Sequence, residues 1–198
     1  MAVTLKKKIT LKRKGEAADF TFSGKLKVKL FWSSPTDLDL CIFFKKKNGE
    51  VGGVFSNEYR GRKSDLGNLN EFPFMLHMGD SKEPSEGSEE TEQINIANLN
   101  EIDEAYVCIV NYGAAVEEED VSYADEGGRV ELQSDSGDYL EVIADSKEHG
   151  PIYCVCSIKN NNGVNSLKKS GGDDDHPEVM DLGAAFDKVP GFALICNS

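Results

Sequence analysis

Between residues 25 and 32 the chain alternates strictly, with Lys25, Lys27 and Lys29 set against Leu26, Val28, Leu30 and Trp32. A period of two is that of a strand with one face in a core and one in water. The next run, DLDLCIFF, places Leu38, Leu40, Ile42 and Phe44 on one face and Asp37 and Asp39 together on the other, at the start of the strand. Asn48-Gly49 is a strong hairpin signal that returns the chain antiparallel. Further strand-like runs are EFPFMLHM, EQINI, AYVCIVNY, GRVELQS, YLEVIA and PIYCVCSIK, with turn chemistry at 135–138 and 160–163. Many short strands at this spacing predict an all-β fold, a two-sheet β-sandwich with long acidic loops. DLGAAFDKV is the good helix candidate and gives the fold a short C-terminal helical segment; LNEIDE suggests one helical turn. VEEEDVSYADEGG reads as a loose acidic segment, and KKSGGDDDHPE reads as a linker. The domain organisation expected is a sandwich over 1–170, then a linker and apolar tail over 171–198 that docks back yet is separable from the sandwich's function.

Charge narrows the partners. The net charge is −13, but the first thirty residues carry nine Lys/Arg against Glu16 and Asp19. Phosphate would meet mostly carboxylate over the rest of the chain, which argues against nucleic acid and for cations, basic partners or self-association through the basic end. Four of the five cysteines, Cys41, Cys108, Cys154 and Cys156, fall in apolar strand-like runs and read as reduced core residues. In YCVCSI, strand alternation sends both sulfurs to one face. The start MAVTLKKKITLKRKG has no apolar core of a signal peptide, and no run approaches the ~18 apolar residues of a membrane span. The expectation is a cytoplasmic protein.

From Asp80 to Glu92 stand six carboxylates, with Lys82 the only compensating charge. Like charges at that density repel unless something cationic sits among them. Asp37 and Asp39 lie roughly 7 Å apart along their strand, given ~3.3 Å per residue, which suits two oxygens closing on one hard cation. Asn57 in FSNEY is a further oxygen donor if the loops gather at one end of the sandwich. No EF-hand frame fits, because a loop begun at Asp80 has Lys82 third and Glu86 sixth, where glycine belongs. His77 reads as a structural histidine at a strand end, and His149 and His176 lie near no nucleophile. No phosphate-binding glycine loop and no acid–base pair in distinct environments appears, so a catalytic role is not assigned.

The ordered set of the basic N-terminal strand, the strand ending in Trp32, DLDLCIFF, VFSNE, HMGDS, SEGSEETEQINI and NEIDEAYVCIVNY resembles the TerD-like tellurite-resistance and stress-response family over about residues 1–170. The resemblance implies a β-sandwich that binds calcium through clustered acidic loops. Asp37 and Asp39 match the aspartates of the family's DLD core, and Asn57 matches the first asparagine of its VFYNN stretch. His77, Gly79 and Asp80 match its HTGD stretch, and Glu86, Glu90 and Glu92 match its acidic run; Glu89 restores part of the charge. The chain departs from the pattern at Pro35, Ser81, Ser88 and Thr91, where the family has Asp, Asn and two Asp, and after Ala115, where an acidic segment replaces a Gln/Asn/Ser-rich one. The expected metal ligands are thus Asp37, Asp39, Asn57, Asp80, Glu86, Glu89, Glu90 and Glu92. The expected function is that of a non-catalytic, calcium-binding stress-response protein, with other proteins of a stress-response complex as partners. A calcium-dependent membrane- or carbohydrate-binding module is the alternative, and a hydrolase using the acid cluster is a third reading.

Overall fold

The computed structural model describes residues 8–81, 87–124 and 127–196. Its strands form two sheets. One contains β1 (Lys8–Leu11), β3 (Leu26–Trp32), β6 (Gly67–Asn68), β7 (Met75–His77), β8 (Glu90–Ile96), β10 (Gly128–Ser134) and β11 (Tyr139–Ala144), in the order β1-β11-β10-β3-β8-β7-β6. The other contains β2 (Ala17–Phe20), β4 (Leu38–Lys46), β5 (Val51–Val54), β9 (Ile102–Asn111), β12 (Ile152–Asn161) and β13 (Val164–Lys169), in the order β2-β13-β12-β9-β4-β5. The all-β two-sheet sandwich expected from the alternation is therefore what the chain forms.

The alternating residues do what their period requires. Leu26, Val28, Leu30 and Trp32 of β3 face Leu38, Leu40, Ile42 and Phe44 of β4 in the core between the sheets, together with Ile94, Ile96, Val107 and Ile109. Asn48-Gly49 closes the β4–β5 hairpin, where Gly49 adopts a φ of 91° that a residue with a Cβ resists. The turns at 135–138 and 160–163 close the β10–β11 and β12–β13 hairpins.

Several sequence expectations are corrected. In EFPFMLHM only Met75–His77 pairs as a strand, because the residues before it form a turn in which Phe74 N–H donates to Glu71 O. LNEIDE makes a turn entering β9 and no helix. The segment read as loose begins in the last turn of a helix, α1 (Tyr112–Glu117), capped by the Asn111 side chain accepting from Ala114 N; Asp125 and Glu126 of that segment lie outside the described residues. Cys154 and Cys156 point to opposite faces: a register shift between them leaves Val155 and Cys156 both toward the inter-sheet core and Cys154 toward the outer face.

The C-terminal tail docks back as expected, but the linker reading before it is corrected. The stretch read as a linker begins inside β13, whose Lys168 and Lys169 pair with Ser157 and Cys156. Beyond it, β14 (Val179–Met180) takes the same edge of β12 as β13 does, pairing with Ile152 and Tyr153. Then α2 (Leu182–Lys188), capped by Asp181, and a 3₁₀ turn over Phe192–Cys196 cover the outer face of the second sheet. That face carries Cys41, Phe43, Cys108, Val110, Ile152 and Cys154, and these form a second core with Met180, Ala185, Val189, Phe192 and Ile195. Gly191 permits the close approach, since a Cβ there would collide with Gly52 O of β5. Glu178, 1% exposed, locks the tail's entry. It accepts from Tyr153 Oη at 2.5 Å and pairs with Lys14 at 3.1 Å and Lys169 at 3.4 Å. Burial pushes the Glu178 carboxyl up, but the Tyr153 hydroxyl and the two lysines outweigh it and hold the group below its usual range.

The tail is thus one wall of a core, and removing it is not neutral. Truncation after Ser170 should abolish cooperative folding. Phe192→Ala, which empties the contacts with Phe43 and Phe186, should cost about 3 kcal/mol or more in urea unfolding. A Phe192→Ala midpoint equal to the parent's would show that the cover contributes no packing energy.

An acidic cavity at one end of the sandwich

Antiparallel pairing brings the start of β4, the end of β7, the start of β8 and the end of β9 to one end of the sandwich. Trp32, at the end of β3, donates from Nε1 to Thr36 O at 2.8 Å and so holds the crossing that delivers Asp37 and Asp39 there. The turn after β5 brings Glu58 and Tyr59, braced by a bidentate pair between Arg60 and the buried Asp65, in which Arg60 Nε lies 3.0 Å from Asp65 Oδ2. Asp37, Asp39, Glu58, Tyr59 and Tyr112, the last from α1, line a cavity of about 200 Å³.

Two of the carboxylates are deeply placed. Asp39 is 6% exposed and accepts from Tyr59 Oη at 2.8 Å. Glu92 is 1% exposed, and it reaches from β8 in one sheet to Leu40 N of β4 in the other, accepting at 2.7 Å. That amide lies beyond the end of β5 and has no ladder partner on that side, so Glu92 satisfies an otherwise orphaned donor. Its second oxygen accepts from Ser81 N at 2.9 Å, while Glu90 accepts from Ser81 Oγ at 2.7 Å. Ser81 is thereby clamped by two glutamates, and Asp80 beside it is aimed at the site. Oxygens of Asp39, Asp80 and Glu92 come within 4.8 Å of one another.

His77 braces the same group. Gly79 N–H donates to Nδ1 at 3.2 Å, which leaves the ring hydrogen on Nε2, facing Glu92 Oε2 at 3.5 Å. Among the described residues no lysine or arginine pairs with Asp39 or Glu92. Burial, then the charge of Glu92, push the Asp39 carboxyl up to about 8, against the Tyr59 hydrogen bond that favours its ionised form. Burial likewise raises Glu92, with His77 and the amides of Leu40 and Ser81 opposing. Asp39 is thus poised to hold a proton, or to meet another cation, near neutral pH, beside a Glu92 carboxyl raised in the same direction.

Of the ligands expected from sequence, Asp37, Asp39, Asp80 and Glu92 gather at this end. Glu90 stands one step back, holding Ser81. Glu89 turns to the outer face and pairs with both guanidinium nitrogens of Arg129 at 2.5 and 3.1 Å, so its charge is committed elsewhere. Asn57 lies in the turn after β5, where its carbonyl accepts from Gly61 N, and it does not line the cavity. Glu86 lies outside the described residues. Sequence reasoning missed Glu58, Tyr59 and Tyr112 as parts of the site, and the bracing role of His77. The Asn48-Gly49 hairpin was a usable signal for the first two, since a four-residue return strand ends FSNEY beside the start of β4.

Neither a protein-family model nor a curated protein matches the sequence. A solved structure described as "Crystal structure of unknown function protein SAV2460" matches with a TM-score of 0.50 at 12% identity, over 82% of this chain and 94% of that one. At that identity the likeness is one of fold. What fold and site together define is a two-sheet β-sandwich with a carboxylate-lined cavity at one end and a second core beneath a C-terminal cover.

The raised Asp39 carboxyl makes stability depend on pH with a definite sign. With its value near 3.8 in the unfolded chain and about 8 in the fold, the native state holds the extra proton between those limits. The stability linked to Asp39 is full below about pH 4 and is lost as pH rises through about 8, a decline on the order of several kcal/mol shared with Glu92. In metal-free buffer the melting temperature should fall from pH 5 to pH 8, and Asp39→Asn should flatten that fall. A parent profile as flat as the variant's would show that Asp39 ionises freely.

Proposed function

We propose that the acidic cavity binds calcium, and that the protein is a non-catalytic calcium-binding protein of the tellurite-resistance and stress-response type, acting in the cytoplasm. The observation that carries the reading is the convergence of Asp39, Asp80 and Glu92 oxygens within 4.8 Å of one another. Oxygens bound to one calcium ion at about 2.4 Å are at most about 4.8 Å apart, a condition that these three meet. Asp37 and Glu58 line the adjoining cavity, which has room for further oxygen ligands, water among them. Calcium accepts six to eight oxygens in irregular arrangements; magnesium demands near-octahedral geometry and keeps its waters, so it fits this uneven set less well.

The electrostatics support the same reading. Holding Asp39 and Glu92 ionised without a cation works against burial and mutual repulsion, and a divalent ion removes both costs at once. His77, with its Nε2 hydrogen toward Glu92, orients that carboxylate in the way outer-shell partners orient metal ligands. The order of the DLDLCIFF, VFSNE, HMGDS and SEGSEETEQINI stretches supports the family type, as does the sandwich it implies.

Calorimetry on metal-free protein should show calcium binding that is stronger than magnesium binding. At a hundredfold excess of calcium over its dissociation constant the fold should gain roughly 2.7 kcal/mol. Asp39→Asn and Asp80→Asn should each weaken binding at least tenfold while leaving the fold intact. An equal rise in melting temperature with calcium chloride and with sodium chloride at matched ionic strength would leave only charge screening and remove the proposal.

A further inference from the structure

A row of thiols crosses the outer face of the second sheet. Cys41 on β4 stands opposite Cys108 on β9, and Cys108 stands opposite Cys154 on β12. All three sulfurs lie in the second core beneath the C-terminal cover, and all are free thiols. The two neighbouring pairs are not equivalent, and backbone hydrogen bonding decides between them. Asn111 N–H donates to Pro151 O, so Asn111, and by alternation Ile109, turn their amide edges toward β12. Cys108 then turns its amide edge toward β4, and Cys154 N–H points the other way, donating to Glu178 O at 2.8 Å. Cys108 and Cys154 therefore face each other as a non-hydrogen-bonded antiparallel pair, where opposing Cα atoms are about 4.5 Å apart and side chains are closest. Cys41 and Cys108 form the wider, hydrogen-bonded kind, at about 5.5 Å. Both spacings fall in the range a disulfide spans, but the narrower pair brings its sulfurs together.

We propose that Cys108 and Cys154 are a redox modification site: a cross-strand dithiol that a peroxide converts into a disulfide joining β9 to β12. The Cys108 thiol faces Cys154 across the narrow pair, and the Ser170 hydroxyl donates to Cys154 Sγ at 3.5 Å. Those donors pull the Cys154 thiol below its usual range, the Cys108 thiol first and Ser170 second, whereas Cys108 is pushed well above its own. Cys154 is thus the attacking sulfur. Its thiolate displaces one oxygen of hydrogen peroxide, which leaves as water after taking up a proton, and the sulfur becomes a sulfenic acid. Cys108 then attacks that sulfur; its proton and the departing hydroxyl leave as a second water, and the S–S bond remains. Two thiols lose two electrons and the peroxide gains them. Cys156 takes no part, because the bulge turns it into the inter-sheet core. The bond closes a loop that includes α1 and Tyr112, so it fastens to β12 the strand that carries one wall of the acidic cavity.

The test uses the full chain with Cys196→Ser, which removes the exposed thiol. Native protein is treated with hydrogen peroxide, unfolded, alkylated and mapped by mass spectrometry. The expected product has lost two hydrogens, resists alkylation at two thiols and yields a peptide joining residues 108 and 154. Its melting temperature is raised, and dithiothreitol reverses both changes. Cys154→Ser and Cys108→Ser should each abolish the bond, Cys41→Ser should leave it, and Ser170→Ala should slow its formation several-fold. A bond between Cys41 and Cys108 would overturn the assignment. So would irreversible over-oxidation of Cys154 with Cys108 still alkylatable, or a disulfide formed only above the urea unfolding transition.

Discussion

The carboxylate of Glu92 is the interaction on which the working end of this molecule depends. It belongs to one sheet and accepts the Leu40 amide of the other, so it is at once a hydrogen-bond bridge across the sandwich and a charge confined there. A buried carboxylate is tolerable only with partners, and the surrounding loops supply them from Ser81 and His77. Every other feature of the cavity follows from that choice. Asp80 is placed because its neighbour Ser81 is clamped, and Asp39 is driven toward its neutral form partly because Glu92 is near. Tyr59 donates to Asp39, and Tyr112 packs on Tyr59 with ring centroids 5.3 Å apart, closing the wall.

The second core explains how such an end is kept rigid. A sandwich exposing one face of each sheet would leave β4 and β9, which carry Asp39 and Asn111, backed by water on one side. Here the tail covers the outer face of the second sheet, so those strands are packed from both sides. The cover is anchored by Glu178, whose buried charge is matched by Lys14 from the N-terminal region and Lys169 from β13. Chain segments distant in sequence thus meet at one ion-paired group. Such a group is costly to leave half-paired, and it fixes the register of the tail against the sheet.

The two sheets also divide the chemistry. The first presents an open polar face on which Lys29 stands opposite Glu131 and Gln93. The second presents the cover, with the thiol row beneath it. Negative charge gathers at the end where the sheets meet, and the basic residues of β3 lie along the open face.

How much of this was legible beforehand differs by level. Period-two alternation at 26–32 and 38–44 determined the strands and their inward residues, because one apolar face has no alternative but the core. Asn48-Gly49 determined a hairpin through its backbone demands. Asp37, Asp39, Asp80 and Glu92 were legible as members of acid-rich stretches that meet if the loops gather at one end. The continuous apolar runs CIFF, AYVCIV and IYCVCSI also carried the sign of strands buried on both faces, and with it the need for a cover. Tertiary structure alone decided which acids meet. Glu89 met Arg129, which stands forty residues away at the start of β10, and Glu92 met Leu40 across the sandwich. It alone decided that a bulge at Val155 parts Cys154 from Cys156 and leaves Cys154 facing Cys108. Local sequence sets which face a side chain takes, but partners across sheets depend on register and closure, and those are fixed only when the whole core packs at once.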